Sequence, residues 1–148
     1  MTTVIQEIES TMCRVRAGGD PLVQPGRPES FTRGCIANDA IRQGDLYLVI
    51  VDTVPAHFIR STDDSCQLVP GNTEGAKHCL DSLEGVTKWY PPNWSSESLE
   101  GPVLVLAATR VVLHPTHGPV KMLAEMTVAC HYQREFDAIE MRERRALD

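Results

Sequence analysis

Val103-Leu-Val-Leu-Ala-Ala-Thr-Arg-Val-Val-Leu-His114, followed by Pro115-Thr-His-Gly-Pro119, is the stretch on which the fold turns. Four valines and a threonine make it β-branched, and such side chains fit a pleated, half-buried surface better than a helix. A strand is expected over Val103–His114, although a long one. Two prolines without N–H groups and a glycine then stop it, so 114–119 reads as a turn. The chain returns as Met126–Glu135, where Met126, Val128, Cys130 and Tyr132 alternate with Thr127, Ala129, His131 and Gln133. A period of two is that of a strand with one apolar face, and it puts His131 and Gln133 together on the other.

Working outward, Leu46–Val54 is apolar on both faces, launched by Gln43-Gly44-Asp45 and closed by Pro55, which is the pattern of a central strand. Shorter strands are expected at Cys66–Val69, Ala76–Asp81 and Val86–Tyr90. They are separated by Pro70-Gly71-Asn72 and Glu84-Gly85, and Pro91-Pro92-Asn93 opens a polar loop to Gly101. Near the N-terminus, Val4, Ile8, Met12 and Val15 fall on one helical face and Thr3 with Gln6 has capping-box spacing. Residues 17–30 hold three prolines and three glycines and read as a linker or surface loop. Phe136–Leu147 is rich in helix formers. The expectation is one domain over 1–148, mainly β, a small barrel or sandwich with short N- and C-terminal helices: an N-terminal helix over 1–16, the linker over 17–30, and the β core with its C-terminal helix over 40–148.

Composition narrows the function. The 148 residues suit one core, and 42% apolar with 23% charged is ordinary for a globular chain. A formal net charge of −6 repels phosphate backbones, and Arg142, Arg144 and Arg145 are interleaved with Glu140, Glu143 and Asp148, so nucleic acid is not an expected partner. No apolar run approaches the ~20 residues that cross a bilayer, and the first residues lack a basic leader and apolar run. A cytoplasmic protein without membrane partners is expected. Five scattered cysteines, Cys13, Cys35, Cys66, Cys79 and Cys130, with no Cys-x-x-Cys pair, read as reduced thiols rather than a disulfide framework or zinc knuckle.

The chemistry-bearing residues gather at the turn. His114 and His117 flank a proline, and two imidazoles are half of a zinc, iron or manganese site. His78 and His131 could supply further ligands, with Glu74 or Glu125 as carboxylate. Against this stands the plainer reading, in which a polar turn has used two histidines. A Cys79 nucleophile beside His78 is disfavoured, because adjacent strand residues face opposite ways. No Gly-x-Ser-x-Gly elbow, Walker loop or Gly-x-Gly-x-x-Gly turn occurs. Asp63-Asp64 reads as a solvated loop. Trp89, Tyr90 and Trp94 cluster around Pro91-Pro92, as a stacking surface for a planar ligand, a partner-binding patch or the plug of a barrel end.

The order of motifs resembles that of a loosely characterised group of small bacterial and bacteriophage proteins. These carry a Gln-Gly-Asp start to the first long strand, a Gly-His-x-His segment, a His-x-x-His-Gly turn and a Gln-Arg-Glu-aromatic motif. The counterparts are Gln43-Gly44-Asp45, Gly75-Ala76-Lys77-His78, His114–Gly118 and Gln133-Arg134-Glu135-Phe136, with Ala76 where the first histidine would stand. The resemblance spans about 40–148. It implies a small β fold and directs attention to His78, His114, His117, Gln133 and Arg134, without supplying a reaction.

Three readings follow. In the first, the chain is a non-catalytic small-molecule-binding module that takes a polar or anionic ligand at a histidine-rich hairpin. Its binding residues are His78, His114, His117, His131, Gln133, Arg134, Trp89 and Trp94, with homo-oligomerisation left open; Arg134 offers a planar fork for carboxylate or phosphate. No cofactor is required. In the second, a divalent metal held by His78, His114 and His117 serves a cupin-like enzyme, with Glu125 or Glu135 as base or ligand. In the third, the Trp/Tyr-Pro-Pro cluster is a protein-interaction surface.

Overall fold

In the computed structural model, residues 29–69, 78–137 and 142–145 are described. The expected N-terminal helix, most of the 17–30 linker, Cys13, Glu74 and Ala76 lie outside them. Among the described residues the fold is mainly β, with no helix.

Six strands form one sheet, in the order β2-β3-β10-β7-β6-β4. They are β2 (Ala40–Gln43), β3 (Leu46–Ile50), β4 (Ile59–Arg60), β6 (Val86–Tyr90), β7 (Glu100–Leu106) and β10 (Thr127–Tyr132). A second sheet runs β1-β9-β8-β5, from β1 (Glu29–Ser30), β5 (Cys79–Leu80), β8 (Arg110–Leu113) and β9 (Val120–Met122). The inner face of the large sheet gives Ile41, Leu46, Leu48, Ile50, Leu104, Leu106, Val128, Cys130 and Tyr132 to one core. The small sheet answers with Leu80, Val112, Val120 and Met122. Neither sheet closes on itself, so the arrangement is sandwich-like and not a barrel.

Three expectations are corrected. The stretch Val103–His114 is two strands, β7 and β8, in different sheets. Residues 107–109 turn the corner: the Ala107 N–H donates to the Gly85 carbonyl at 2.7 Å. Ala108 packs so closely on Gly85 that a Cβ there would stand 2.9 Å from the Ala108 Cβ, and Gly85 also has φ +74°. Only glycine suits both demands. Second, β3 is central, as expected, but stops at Ile50 rather than Val54, because the chain leaves the sheet before Pro55. Third, the described residues of the C-terminal stretch are strand rather than helix. β11 (Arg134–Asp137) and β12 (Arg142–Arg145) pair antiparallel. Phe136 and Ile139 are too thin an apolar stripe to hold a helix on a core, and propensity yields to pairing. Of the short strands, Val86–Tyr90 is as expected, the described part of Ala76–Asp81 holds the strand Cys79–Leu80, and Cys66–Val69 contributes one bridge, Gln67 to Cys79.

The connection from β3 to β4 positions the site described below. These strands are second and sixth in the sheet order, so residues 51–58 must cross β10, β7 and β6. They do so on the outer face, as a strap tied at its start by the Val51 N–H to the Thr127 carbonyl at 3.0 Å. Beneath it lie Val103 and Ala129, cross-strand partners that are 3% and 5% exposed although they face away from the core.

Candidate functional site

Three of the segments singled out in the sequence meet in one buried knot. β2 and β3 are joined through Gly44-Asp45, with Gly44 at φ +57° and Asp45 outside the positive-φ region, the pattern of a type II′ hairpin turn. On either side of Gly44, Gln43 and Asp45 reach inward to His78, which is fully buried. The His78 Nδ1 lies 2.8 Å from Gln43 Oε1 and its Nε2 lies 2.9 Å from Asp45 Oδ1. Gln43 Nε2 in turn donates to the carbonyls of Val112 at 3.0 Å and Gly118 at 2.9 Å. Those two acceptors fix the amide orientation. Gln43 Oε1 therefore accepts from His78 Nδ1–H, and one further proton sits between His78 Nε2 and Asp45 Oδ1. The knot thus balances its charge internally, which is what a buried imidazole and carboxylate require.

At the surface end of the knot, the His114 ring lies 4.4 Å from that of His78 and 4.6 Å from that of His117. His114 Nδ1 accepts from the backbone N–H groups of Thr116 at 3.1 Å and His117 at 3.2 Å. That ring organises the 114–118 turn as an Asx side chain would. His78, His114 and His117 are accordingly together, but as a row of mutually tilted rings, at 43° and 42°, rather than a converging ligand set. Among the described residues no group of three His, Cys, Asp or Glu side chains is placed to hold a metal ion. Both His78 nitrogens are engaged in hydrogen bonds, and Glu125, at φ 76°, follows β9 while the histidine turn precedes it.

The other nominated residues lie elsewhere. His131 pairs with Tyr47 of β3 and Glu100 of β7, on the outer face of the large sheet, while the knot belongs to its inner face. Gln133 Oε1 accepts from Arg42 Nη2 at 3.2 Å, and Arg42 also donates to the Gly44 carbonyl at 2.6 Å. Gln133 is thereby tied to the hairpin from outside, with the Arg42 guanidinium 5.8 Å from the Tyr47 ring centre. Arg134 opens β11 opposite Arg145, and Glu135 pairs with Arg144. Trp89 pairs with Val103 across β6 and β7. Trp94 leaves the sheet, its ring 4.8 Å from that of Tyr90 at 54°.

A hollow of about 340 Å³ lies between the strap and the outer face. Val103, Ala129 and Gly101 floor it; Val51, Thr53, Pro55, His57 and Phe58 wall it; Glu100 and His131 stand at its polar side. The His57 and Phe58 rings meet edge to face, 5.0 Å apart at 84°. Of these residues the sequence reading nominated only His131. His57, Phe58 and Glu100 carry no motif. The usable signal was the double-sided apolar run of β3 followed by Pro55, which implies a covering segment on the outer face.

What these features define is a β-sandwich domain pinned by an imidazole–amide–carboxylate knot on one face of its main sheet and hollowed under a strap on the other. The chain belongs to the family described as Domain of unknown function (DUF8820), whose model matches residues 42–124, more than half of its length. The matched span includes the whole knot, the strap and Glu100, and ends before β10. Neither a curated protein nor a solved structure matches the chain. Among the described residues, no helix is long and apolar enough to cross a membrane.

Proposed function

We propose that the domain is a non-catalytic binding module whose small-molecule site is the hollow under the strap, not the histidine turn. The observation that carries this is the hollow itself. Its volume is within the range of ligand sites, its floor is apolar, and its lining includes two imidazoles and one carboxylate, the kind of polar groups that orient a ligand in such sites. The turn histidines are the weaker candidate, because His78 is enclosed and His114 holds its own loop together. A ligand with an apolar body and a polar group suits the lining. A bacterial or bacteriophage origin belongs to the same reading through the motif resemblance. Cys35, Cys66, Cys79 and Cys130, none of them in a disulfide, agree with a reducing, cytoplasmic setting.

The test is a titration of the ¹⁵N-labelled full chain with tryptophol, a neutral aromatic alcohol, followed by amide shifts. Saturable shifts at 51–58, 100–103 and 129–131 are expected. Shifts confined to 114–118, or none, would overturn the reading.

A further inference from the structure

We infer that the hollow selects an organic ammonium ion and that Glu100 is the residue that reads its charge; this rests on the binding reading above. Glu100 lines two concavities at once. One is the hollow under the strap; the other, also about 340 Å³, is a shallower shelf bounded by Pro91, Pro92, Trp94, Ser98 and Leu99. Glu100 is where they meet. The Trp94 Nε1–H donates to the Glu100 carbonyl at 2.8 Å, which holds the indole beside this residue, and the Tyr90 ring lies against the indole. Burial, reinforced by the charge of Asp63, pushes the Tyr90 hydroxyl up to about 12, so that ring stays a neutral phenol.

The charge logic follows from the lining. Neither concavity is lined by a lysine or an arginine, and Glu100 is the one carboxylate among the residues that line them. A carboxylate that lines both concavities, with Phe58 in the lining of one and Trp94 in that of the other, attracts a cation through its charge, and the aromatic rings add cation–π attraction. An anionic ligand meets only repulsion from Glu100, on a chain whose formal net charge is −6. His57 adds a hydrogen-bonding group from the strap and His131 one from the sheet. The ligand class is an amine with a flat or short aliphatic apolar body, its nitrogen at Glu100 and its body under the strap.

Three probes with one ring system test this: tryptamine, tryptophol and indole-3-propionate, carrying an ammonium, a hydroxyl and a carboxylate. Titrated into the full chain, tryptamine should bind about tenfold tighter than tryptophol, the combined worth of a half-exposed ion pair and a cation–π contact. Indole-3-propionate should bind weakest, and Glu100→Gln should erase the preference for tryptamine. Equal affinity for tryptamine and tryptophol at the strap residues, or a preference that survives Glu100→Gln, overturns the cation inference and leaves the binding site standing. If none of the three probes shifts the strap residues, both fall together.

Discussion

Asp45→Asn should be nearly harmless, whereas Gln43→Glu should be among the most damaging single-atom exchanges available in this chain. Gln43 Nε2 serves two carbonyls, Val112 and Gly118, so His78 Nδ1 is the donor to Gln43 Oε1, and His78 Nε2 shares one proton with Asp45. An asparagine amide at 45 can donate to the Nε2 lone pair of a neutral imidazole, leaving His78 fully bonded; the expected loss is within about 1 kcal/mol. A carboxylate at 43 instead points an oxygen at two carbonyl oxygens and adds a charge in a place where Gln43 is 2% exposed. Two unmet acceptors and an uncompensated buried charge cost about 4 kcal/mol, a large part of the 5–15 kcal/mol that holds a domain together. His78→Ala should cost a similar amount, since it removes both bonds and leaves a void. Urea and thermal denaturation followed by circular dichroism read all three. At about 3 °C per kcal/mol for a chain of this length, Gln43→Glu and His78→Ala should melt about 12 °C below the wild type, and Asp45→Asn within about 3 °C of it. If Asp45→Asn costs as much as His78→Ala, or Gln43→Glu is tolerated within 1 kcal/mol, the proton assignment in the knot is wrong.

Further expectations concern the core and its margin. A Cβ at Gly101 would stand 2.7 Å from the Tyr132 hydroxyl, which donates to the Leu68 carbonyl at 2.9 Å. Gly101→Ala should therefore destabilise by about 1–3 kcal/mol, and adding Tyr132→Phe should cost less than the two single changes summed. Burial works to raise the Asp63 carboxyl, but the Ser65 N–H and the Lys88 ammonium outweigh it and hold the group below 3.8. A depressed carboxyl stabilises the fold above its unfolded value and loses that contribution as pH falls through 3.8 and below. Asp63→Asn should thus be less stable than the wild type at pH 6, by under about 1 kcal/mol because the carboxylate is 45% exposed. The gap should narrow as pH falls below 3.8 in parallel denaturation curves. Burial pushes the Cys130 thiol up to about 12, so iodoacetamide at pH 8 should label half-buried Cys35, Cys66 and Cys79 well before Cys130. Peptide mass spectrometry gives the order, and early labelling of Cys130 would contradict its burial.

The sequence carried the parity of β10 in full: Val128, Cys130 and Tyr132 are core, and His131 is on the other side. It carried the turns at Gly44 and Gly85 and the position of β6 for the same reason, that these are local patterns. Parity within one strand says which residues share a face, but not which sheet the strand joins. That is how Val103–Leu113, apolar but for Thr109 and Arg110, concealed a corner between two sheets. The same limit scattered the site. The rings of His78, His114 and His117 lie together, whereas His131, Trp89 and Gln133, nominated beside them, stand on the other side of the large sheet. Gln43 and Asp45 were visible only as a strand start, because a polar side chain in a turn motif reads as solvated until a buried imidazole is found against it.

The strap explains why a hollow exists where it does. β3 and β7 are apolar toward both faces, with Val49, Val103 and Val105 on the side away from the core. Such strands must be covered twice, since bare valine rows on an open sheet invite association. The inner cover is a second sheet of four strands, whose side chains interlock with the first. The outer cover is one crossing segment, 51–58, with Pro55 and Thr53 interrupting it. A single chain can shield Val103 and Ala129 from water but cannot fill the space above them at the density a second sheet would. The gap is thus the consequence of covering a two-sided apolar sheet with unequal layers, and the polar residues that border it, His57, Glu100 and His131, occupy the margin where the strap stops and solvent begins.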